Sequence, residues 1–262
     1  MKILICSIFF TLGVWSSTAF SQVCDRLVIS GPPTAPPSSW IKDKELIGAS
    51  VEFVKNVALA AGVKSVIVQP YGSWQQALHA AQIGEVDIVF SVGWSQERSR
   101  YLTYIQPQYS GQFLYAIVKK GNEFPLRKYE DLKGRKGISG QAESYGNSKF
   151  GSFVDSHLSL ERSPSITHSF NLLLEGKVDY VLAYENNANS EILKNNNFGD
   201  KLSILSTYPF FAETYIALSK RSKCSENIVP LLSAQIAIAK KNNLYYTLAT
   251  KYQKIFFTSS TN

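Results

Sequence analysis

The sequence predicts an α/β protein of two lobes, with the second lobe inserted into the first. Three observations carry this. From Leu27 onward, segments with strand pattern alternate with segments of helix pattern, the arrangement of a parallel sheet covered by helices. The alternation breaks at Gly121, and a second α/β series starts after it. Cys24 and Cys224 stand near the two ends, so a bond between them would return the last part of the chain to the first series.

The elements follow in order. Lys2, the apolar run Ile3–Val14 and the small residues Ala19 and Ser21 make residues 1–21 a signal peptide, with cleavage expected near Ser21/Gln22. The apolar run is shorter than the roughly 20 residues that span a bilayer. Ser21-Gln22-Val23 is a poor signal for a lipid anchor at Cys24. Leu27–Ser30 is a short strand, and Gly31–Ser39 is a Pro/Ser loop expected to be neither helix nor strand. Val51, Val54, Val57 and Ala58 share one helical face, stopped at Gly62. Ser65–Val68 is extended, Trp74–Ile83 is a helix ended by Gly84, and Val86–Phe90 is a buried strand. In the second series, Gly137–Gly140 ends a strand and Tyr145–Leu158 is helical. Phe170–Leu174 belongs to a helix closed by Gly176, and Val178–Ala183 is a buried strand. Asn186–Asn197 is a polar surface helix with its end, and Thr214–Ser219 is a strand. Two amphipathic helices, near Ile228–Ala239 and Leu244–Tyr252, close the chain. The expected division is 22–117 with 212–262 for the first lobe and 118–211 for the second. The crossovers are expected near Ala116–Lys119 and Phe211–Tyr215.

Composition narrows the function. An apolar content of 45% with 13% aromatic residues is ample for packed cores. The formal charge of +7 comes from scattered basic residues that do not alternate with aromatics, so a nucleic-acid partner is not expected. His79, His157 and His168 lie far apart without metal spacing, and no Ser-His-Asp order, glycine-rich nucleotide loop or zinc cysteine set is present. No enzyme, metal or cofactor is therefore expected, and the chain is read as a monomer. Cys6 leaves with the signal peptide, so Cys24 and Cys224 form an even pair in an oxidising compartment and are expected to be joined. The alternative is two buried thiols.

The most informative stretch is Gly84–Tyr109. A buried strand there ends in the small-residue turn Ser91-Val92-Gly93-Trp94, and Arg98 follows. Strand ends are where ligands sit in α/β folds, and the arginine fork fits a carboxylate. Arg98 is thus the candidate ligand anchor, with Arg100 or a surface ion pair of Arg98 with Glu97 or Glu85 as the alternatives.

Five motifs in order then give the chain its likeness. They are Leu46-Ile47-Gly48-Ala49-Ser50-Val51-Glu52, Trp74 with Gly84-Glu85-Val86-Asp87, Glu97-Arg98 with Pro107, Asp131-Leu132-Lys133-Gly134, and Gly176-Lys177-Val178-Asp179. With them the chain resembles the type II periplasmic solute-binding proteins that capture polar amino acids for ABC importers. The resemblance implies a ligand cleft between the lobes, a periplasmic location, and docking on a membrane permease. It implies that Arg98 binds the ligand carboxylate. The family's neighbouring hydroxyl falls on Gly93, with Ser91 or Ser95 as substitutes. It implies a second clamp at a helix N-terminus in Gly140–Gly146, through Ser144, Tyr145 and Gly146, although Ser144 as an ordinary helix cap fits as well. The family's amine-binding aspartate falls on Tyr184 with Glu185 beside it, so either Glu185 takes the ammonium or the ligand has none. Tyr71, Trp94, Trp40 and Tyr145 are the candidate aromatic walls, whereas Trp74 is read as core. Two other roles share this fold: a ligand sensor for a membrane receptor, and a dehydratase-like enzyme with Glu143 or Glu185 facing the cleft.

Overall fold

The computed structural model describes residues 24–259 apart from 142, 144, 146–148, 195, 196 and 225. Residues 1–21, expected to be a signal peptide, lie outside the described residues.

Two long antiparallel strands organise the molecule. β7 (Leu102–Lys119) and β11 (Leu202–Ser219) pair along most of their length in the middle of an eight-stranded sheet. On one side of this pair lie β1 (Arg26–Ser30), β5 (Ser65–Val68) and β6 (Ile88–Val92), in the order β5-β1-β6-β11. On the other side lie β8 (Gly137–Gly140), β9 (Glu161–Ser163) and β10 (Tyr180–Tyr184), in the order β7-β10-β8-β9. Each outer set is parallel within itself and meets the long pair antiparallel. The inner strands β6 and β10 are buried on both faces, which is why they read as nearly continuous apolar runs, whereas the edge strands β5 and β9 are partly exposed.

The first lobe buries Leu27, Ile29, Phe53, Val54, Ile88 and Phe90 against α1 (Ala49–Ala60) and the last two helices, α6 (Ile228–Lys241) and α7 (Leu244–Ser259). Its other face packs Leu78 and Ala81 of α2 (Trp74–Ile83) on Val89 and Val92. α2 is well closed at both ends. The Ser73 hydroxyl accepts from the Gln76 N–H at 3.2 Å, the Gln76 side chain accepts from the Ser73 N–H at 3.1 Å, and Gly84 takes the left-handed conformation at φ 87°. The second lobe packs α3 (Lys149–His157) and α4 (Ile166–Leu174) on either face of its strands, with α5 (Glu185–Lys194) following β10. Phe150 stacks on Phe210 in one of its cores, and Phe170 meets Phe198 edge-on in the other.

Two differences from the sequence expectation matter. The expected crossover segments lie on β7 and β11, but Ala116 pairs with Leu205 and Phe211 with Phe113, so the two segments do not face one another. The Pro/Ser loop also contains structure. β2 (Thr34–Ala35) pairs with β3 (Ser39–Lys42), which pairs with β4 (Glu45–Ile47). Pro36 and Pro37 occupy the connection between paired residues, so neither is required to donate to the ladder.

Cys24 and Cys224 are joined, with Cα atoms 5.3 Å apart and a sequence separation of 200. The bond fastens the start of β1 to the segment before α6. Among the described residues no helix is long and apolar enough to cross a membrane.

Candidate functional site

The site begins where β6 ends. Val89 pairs with Ala217 and Val92 with Tyr215, so Phe90 and Ser91 together oppose Ile216 alone. This bulge places Ser91 at φ 53°, a left-handed conformation that costs a non-glycine residue on the order of 1–3 kcal/mol and is found mainly at functional sites. A hydroxyl cluster holds it there. The Ser91 Oγ lies 2.9 Å from the Tyr109 Oη, 3.1 Å from the Ser50 Oγ and 3.1 Å from the Ser38 Oγ. The Ser91 N–H donates to the Tyr109 oxygen at 3.1 Å, and Tyr109 is fully enclosed. Ser38, Ser50 and Tyr109, from three segments of the chain, thus fix one strand end.

The chain then turns through Gly93 and Ser95 to Arg98. The Gly93 carbonyl accepts from the Tyr104 hydroxyl at 3.0 Å and from Arg98 Nη1 at 3.0 Å. The Ser95 hydroxyl accepts from the Arg98 N–H at 3.1 Å. Arg98 is 7% exposed, and its side chain is oriented by these bonds. Arg100, by contrast, is exposed.

Opposite stands the second lobe. β8 ends at Gly140, and Gln141 and Glu143 follow. The Glu143 side chain folds over Gly140, where an added Cβ would lie 3.0 Å from the Glu143 Cγ. The Tyr145 hydroxyl donates to Glu143 Oε2 at 3.4 Å, and Arg162 of β9 donates to the Ser139 hydroxyl at 3.0 Å and the Glu143 carbonyl at 3.2 Å. Burial pushes the Glu143 carboxyl up to about 7, against the opposing pull of Tyr145, Arg162 and Arg98. Burial also raises the Tyr184 phenol, with the Glu143 charge adding to it.

Two cavities lie between the lobes. The first, about 270 Å³, runs from Arg98 to α5. Its walls include Thr34 and Ala35 of β2, Trp74 at the start of α2, and Asn187 and Glu191 of α5. α5 packs against β2, so the lobes touch on this side and the cleft is closed there. The second cavity, about 710 Å³, extends the other way between α2 and α3. Arg98, Gln75, Gln141 and Glu143 line both, and so stand at the junction.

The structure brings together many of the residues singled out in the sequence. Arg98, Gly93, Ser91 and Tyr184 line the first cavity, and Trp94 and Tyr145 line the second. Ser95 turns to the second cavity. Ser144 and Gly146 lie outside the described residues. Three candidates sit elsewhere. Trp40 is not a cleft wall: it is buried edge-on against Tyr252 and Phe256, because β3 turns it toward the C-terminal helix. Tyr71 packs on the cluster under α2, while its neighbours Gly72 to Gln75 line the cavity. Glu185 opens α5 within electrostatic reach of Tyr115 and lines neither cavity; Glu191, in the same helix, takes the cleft position. Trp74 reverses the expectation in the other direction. It packs on the first-lobe cluster with one part and lines the cavity with another. Asn187, Glu191 and Thr214 escaped sequence reasoning altogether. The asparagine-rich run reads as a solvated helix, and only the i, i+4 spacing of Asn187 and Glu191 marks a common face.

Comparisons with known proteins agree with this architecture. The bacterial extracellular solute-binding proteins of family 3 match residues 27–255. The L-cystine-binding protein TcyJ of Escherichia coli (strain K12) is 31% identical over 121 residues, which is 45% of this chain and 44% of that protein. The chain thus spans 44% of the length of that curated relative. Among solved structures, an amino acid ABC transporter substrate-binding protein, AbpA from Streptococcus pneumoniae bound to L-arginine, superposes with a TM-score of 0.65. It is 21% identical and covers 88% of this chain and 95% of its own. A histidine kinase sensor domain with similarity to periplasmic binding proteins gives a TM-score of 0.65 at 20% identity, over 87% of this chain and 96% of its own. These two likenesses speak to the fold. The two-lobed architecture, the cleft at the strand ends and the match across nearly the whole described chain lead to one conclusion: this chain belongs to the bacterial extracellular solute-binding proteins, family 3.

Proposed function

We propose that the protein captures a small carboxylate ligand, an amino acid or a close relative of one, between its lobes and presents it to the membrane permease of an ABC importer. One observation carries this: Arg98, almost wholly buried and held by the Gly93 carbonyl, forms a wall of the interlobe cavity. A guanidinium withdrawn from water and aimed into a cavity pairs strongly with a carboxylate. The 270 Å³ volume lies near the small end of ligand pockets, about 300–1,000 Å³, and fits an amino-acid-sized molecule.

In this reading residues 22–117 and 212–262 form the receiving lobe, 118–211 form the lobe that closes, and the paired β7 and β11 carry the hinge. Ser91 and Gly93 shape the carboxylate pole, Tyr184 lines the cleft, and Tyr145 with Ser144 and Gly146 supplies the second clamp. The protein works in the periplasm after cleavage near Ser21/Gln22, as a monomer, and by binding rather than turnover.

The test is thermal denaturation with a panel of L-amino acids that includes cystine and arginine. A ligand that binds only the folded state raises Tm by mass action. Arg98→Ala is expected to abolish that rise and keep the unliganded far-ultraviolet circular dichroism. A rise of the same size in Arg98→Ala rejects the proposal. The sensor alternative shares the closure and differs in the partner, so uptake of the ligand by cells with and without the protein decides between them.

A further inference from the structure

α6 departs from the usual make-up of a surface helix. Its inner face, Ile228, Leu232, Ile236 and Ala239, is buried in the first-lobe core. The outer face of such a helix is normally charged or polar. From Ile228 to Ala239, however, α6 holds no charged residue, and its only polar ones are Ser233 and Gln235. Leu231, Ala234 and Ile238, spaced three and then four residues apart, form one outward stripe that runs on to Lys241. Leu231 is 42% exposed and Ile238 is 53% exposed. Asn242 and Asn243 then lead into α7, whose first turn presents Tyr246 at 76% exposure. Leu231, Ile238 and Tyr246 belong to none of the packed clusters of the fold.

The charge around this strip has one sign. Residues 220–262 carry seven lysines and arginines and a single acid, Glu226, against a formal charge of +7 for the whole chain, so the remainder nearly balances. From Asn227 to Asn262 there is no acid. Lys240 and Lys241 are exposed in the last turn of α6, and among the described residues neither makes an ion pair. Lys251 and Tyr252 of α7 engage Glu52 of α1, and Lys254 is exposed beyond them. The helix dipole accounts for two lysines at the C-terminal end of α6. It does not account for Ile238 and Tyr246 beside them.

Apolar side chains flanked by lysines suit a helix that lies in a membrane interface. The apolar groups enter the headgroup boundary, and the lysines meet anionic headgroups. A dissolved polyanion would satisfy the lysines and leave Leu231 and Ile238 in water, whereas a lipid surface covers both. The family is extracellular, so the surface within reach is the outer face of a membrane. We infer that the outer face of α6 and the turn into α7 seat the protein on an anionic lipid surface, with Leu231, Ile238 and Tyr246 in the headgroup boundary and Lys240 and Lys241 on the headgroups. The contact is peripheral and reversible. None of these residues lines either interlobe cavity, so the inference is independent of the ligand reading.

The experiment is co-sedimentation of the whole protein with vesicles of phosphatidylcholine, alone or mixed with phosphatidylglycerol, at low and high salt. The wild type is expected to bind the phosphatidylglycerol vesicles about tenfold or more better than the neutral ones, and to lose that binding at high salt. Lys240→Gln with Lys241→Gln is expected to weaken it about tenfold or more, since each lysine at such a surface contributes about fivefold. Ile238→Ser with Tyr246→Ser is expected to weaken it about threefold or more at unchanged charge. Lys120→Gln with Lys136→Gln makes the same change of charge beside the second-lobe strands and is expected to stay within about twofold. Circular dichroism and Tm check the fold of each variant. The glutamine pair alters only exposed positions at a helix end, so it answers even where the serine pair fails to fold. Equal binding to both kinds of vesicle, or to neither, overturns the inference. So does an equal loss in Lys120→Gln with Lys136→Gln, which would make the attraction one of net charge alone. Wild-type binding in a folded serine pair overturns it as well. Self-association that the serine pair abolishes, without vesicle binding, assigns the strip to a second copy of the chain and overturns it too.

Discussion

The hydroxyl of Tyr109 accepts the backbone N–H of Ser91 at 3.1 Å, across 18 residues of sequence, and so holds the strand end on which the ligand site is built. The same oxygen lies 2.8 Å from the Ser50 hydroxyl. Phe53 stacks on the Tyr109 ring and Tyr245 meets it edge-on, so the phenol has no freedom to turn away. Tyr109→Phe keeps this packing and removes the acceptor. It strands a buried N–H and is expected to cost about 1–3 kcal/mol in denaturant unfolding. Ligand affinity should fall with it, because Ser91 loses what keeps it in the left-handed conformation. Wild-type stability in Tyr109→Phe would show that the cluster does not hold the strand end.

Glu143 gives a prediction in pH. Its carboxyl is raised from an ordinary value of 4.5 to about 7 by burial. Between these values the folded protein binds the proton more tightly than the unfolded chain, so the group's contribution to stability is fully present below pH 4.5. It is lost as pH rises to 7. Glu143→Gln removes this dependence. The expected difference between variant and wild type grows by about 1–3 kcal/mol from pH 5 to pH 8 in favour of the variant. Parallel stability profiles across that window would contradict the raised value.

The Cys24–Cys224 bond closes a loop with a sequence separation of 200. The chain-entropy account gives about 5 kcal/mol for a loop of this length, an upper figure for a fold whose lobes also pack without it. Cys24→Ser with Cys224→Ser is expected to lower the midpoint of guanidinium unfolding clearly. It should leave ligand affinity within about twofold, since neither cysteine lines the cleft. Thiol labelling of both cysteines in the native protein without reductant would rule out the bond.

Trp74 stands between core and cleft. Trp74→Leu keeps an apolar group on the Leu78 side and removes the aromatic wall. Ligand affinity is expected to fall about tenfold, or about 1.4 kcal/mol, with a smaller change in unliganded Tm. The comparison of calorimetric affinity with Tm separates a wall from a purely structural residue, for which Tm would fall and affinity would hold.

What the sequence by itself determined was local and periodic. The bounds of Ser65–Val68 and Trp74–Ile83 are those of the pattern, because each is one apolar period between clear stops at Gly62, Ser73 and Gly84. Arg98 was legible for the same reason: a buried strand, a small-residue turn and an arginine follow one another along the chain. Tertiary structure alone decided what depends on distant partners. Trp40 and Trp74 look alike in sequence, yet the C-terminal helix covers one and the cleft exposes the other. Asn187 and Thr214 carry no local signal, since only the fold brings them to the cavity. Glu191 lines the cavity and Glu185 does not, because the two stand on different faces of α5 and the packing of α5 against β2 sets which face meets the cleft. Periodicity is written in a window of ten residues. The choice of which face meets which is made by packing between segments a hundred or more residues apart.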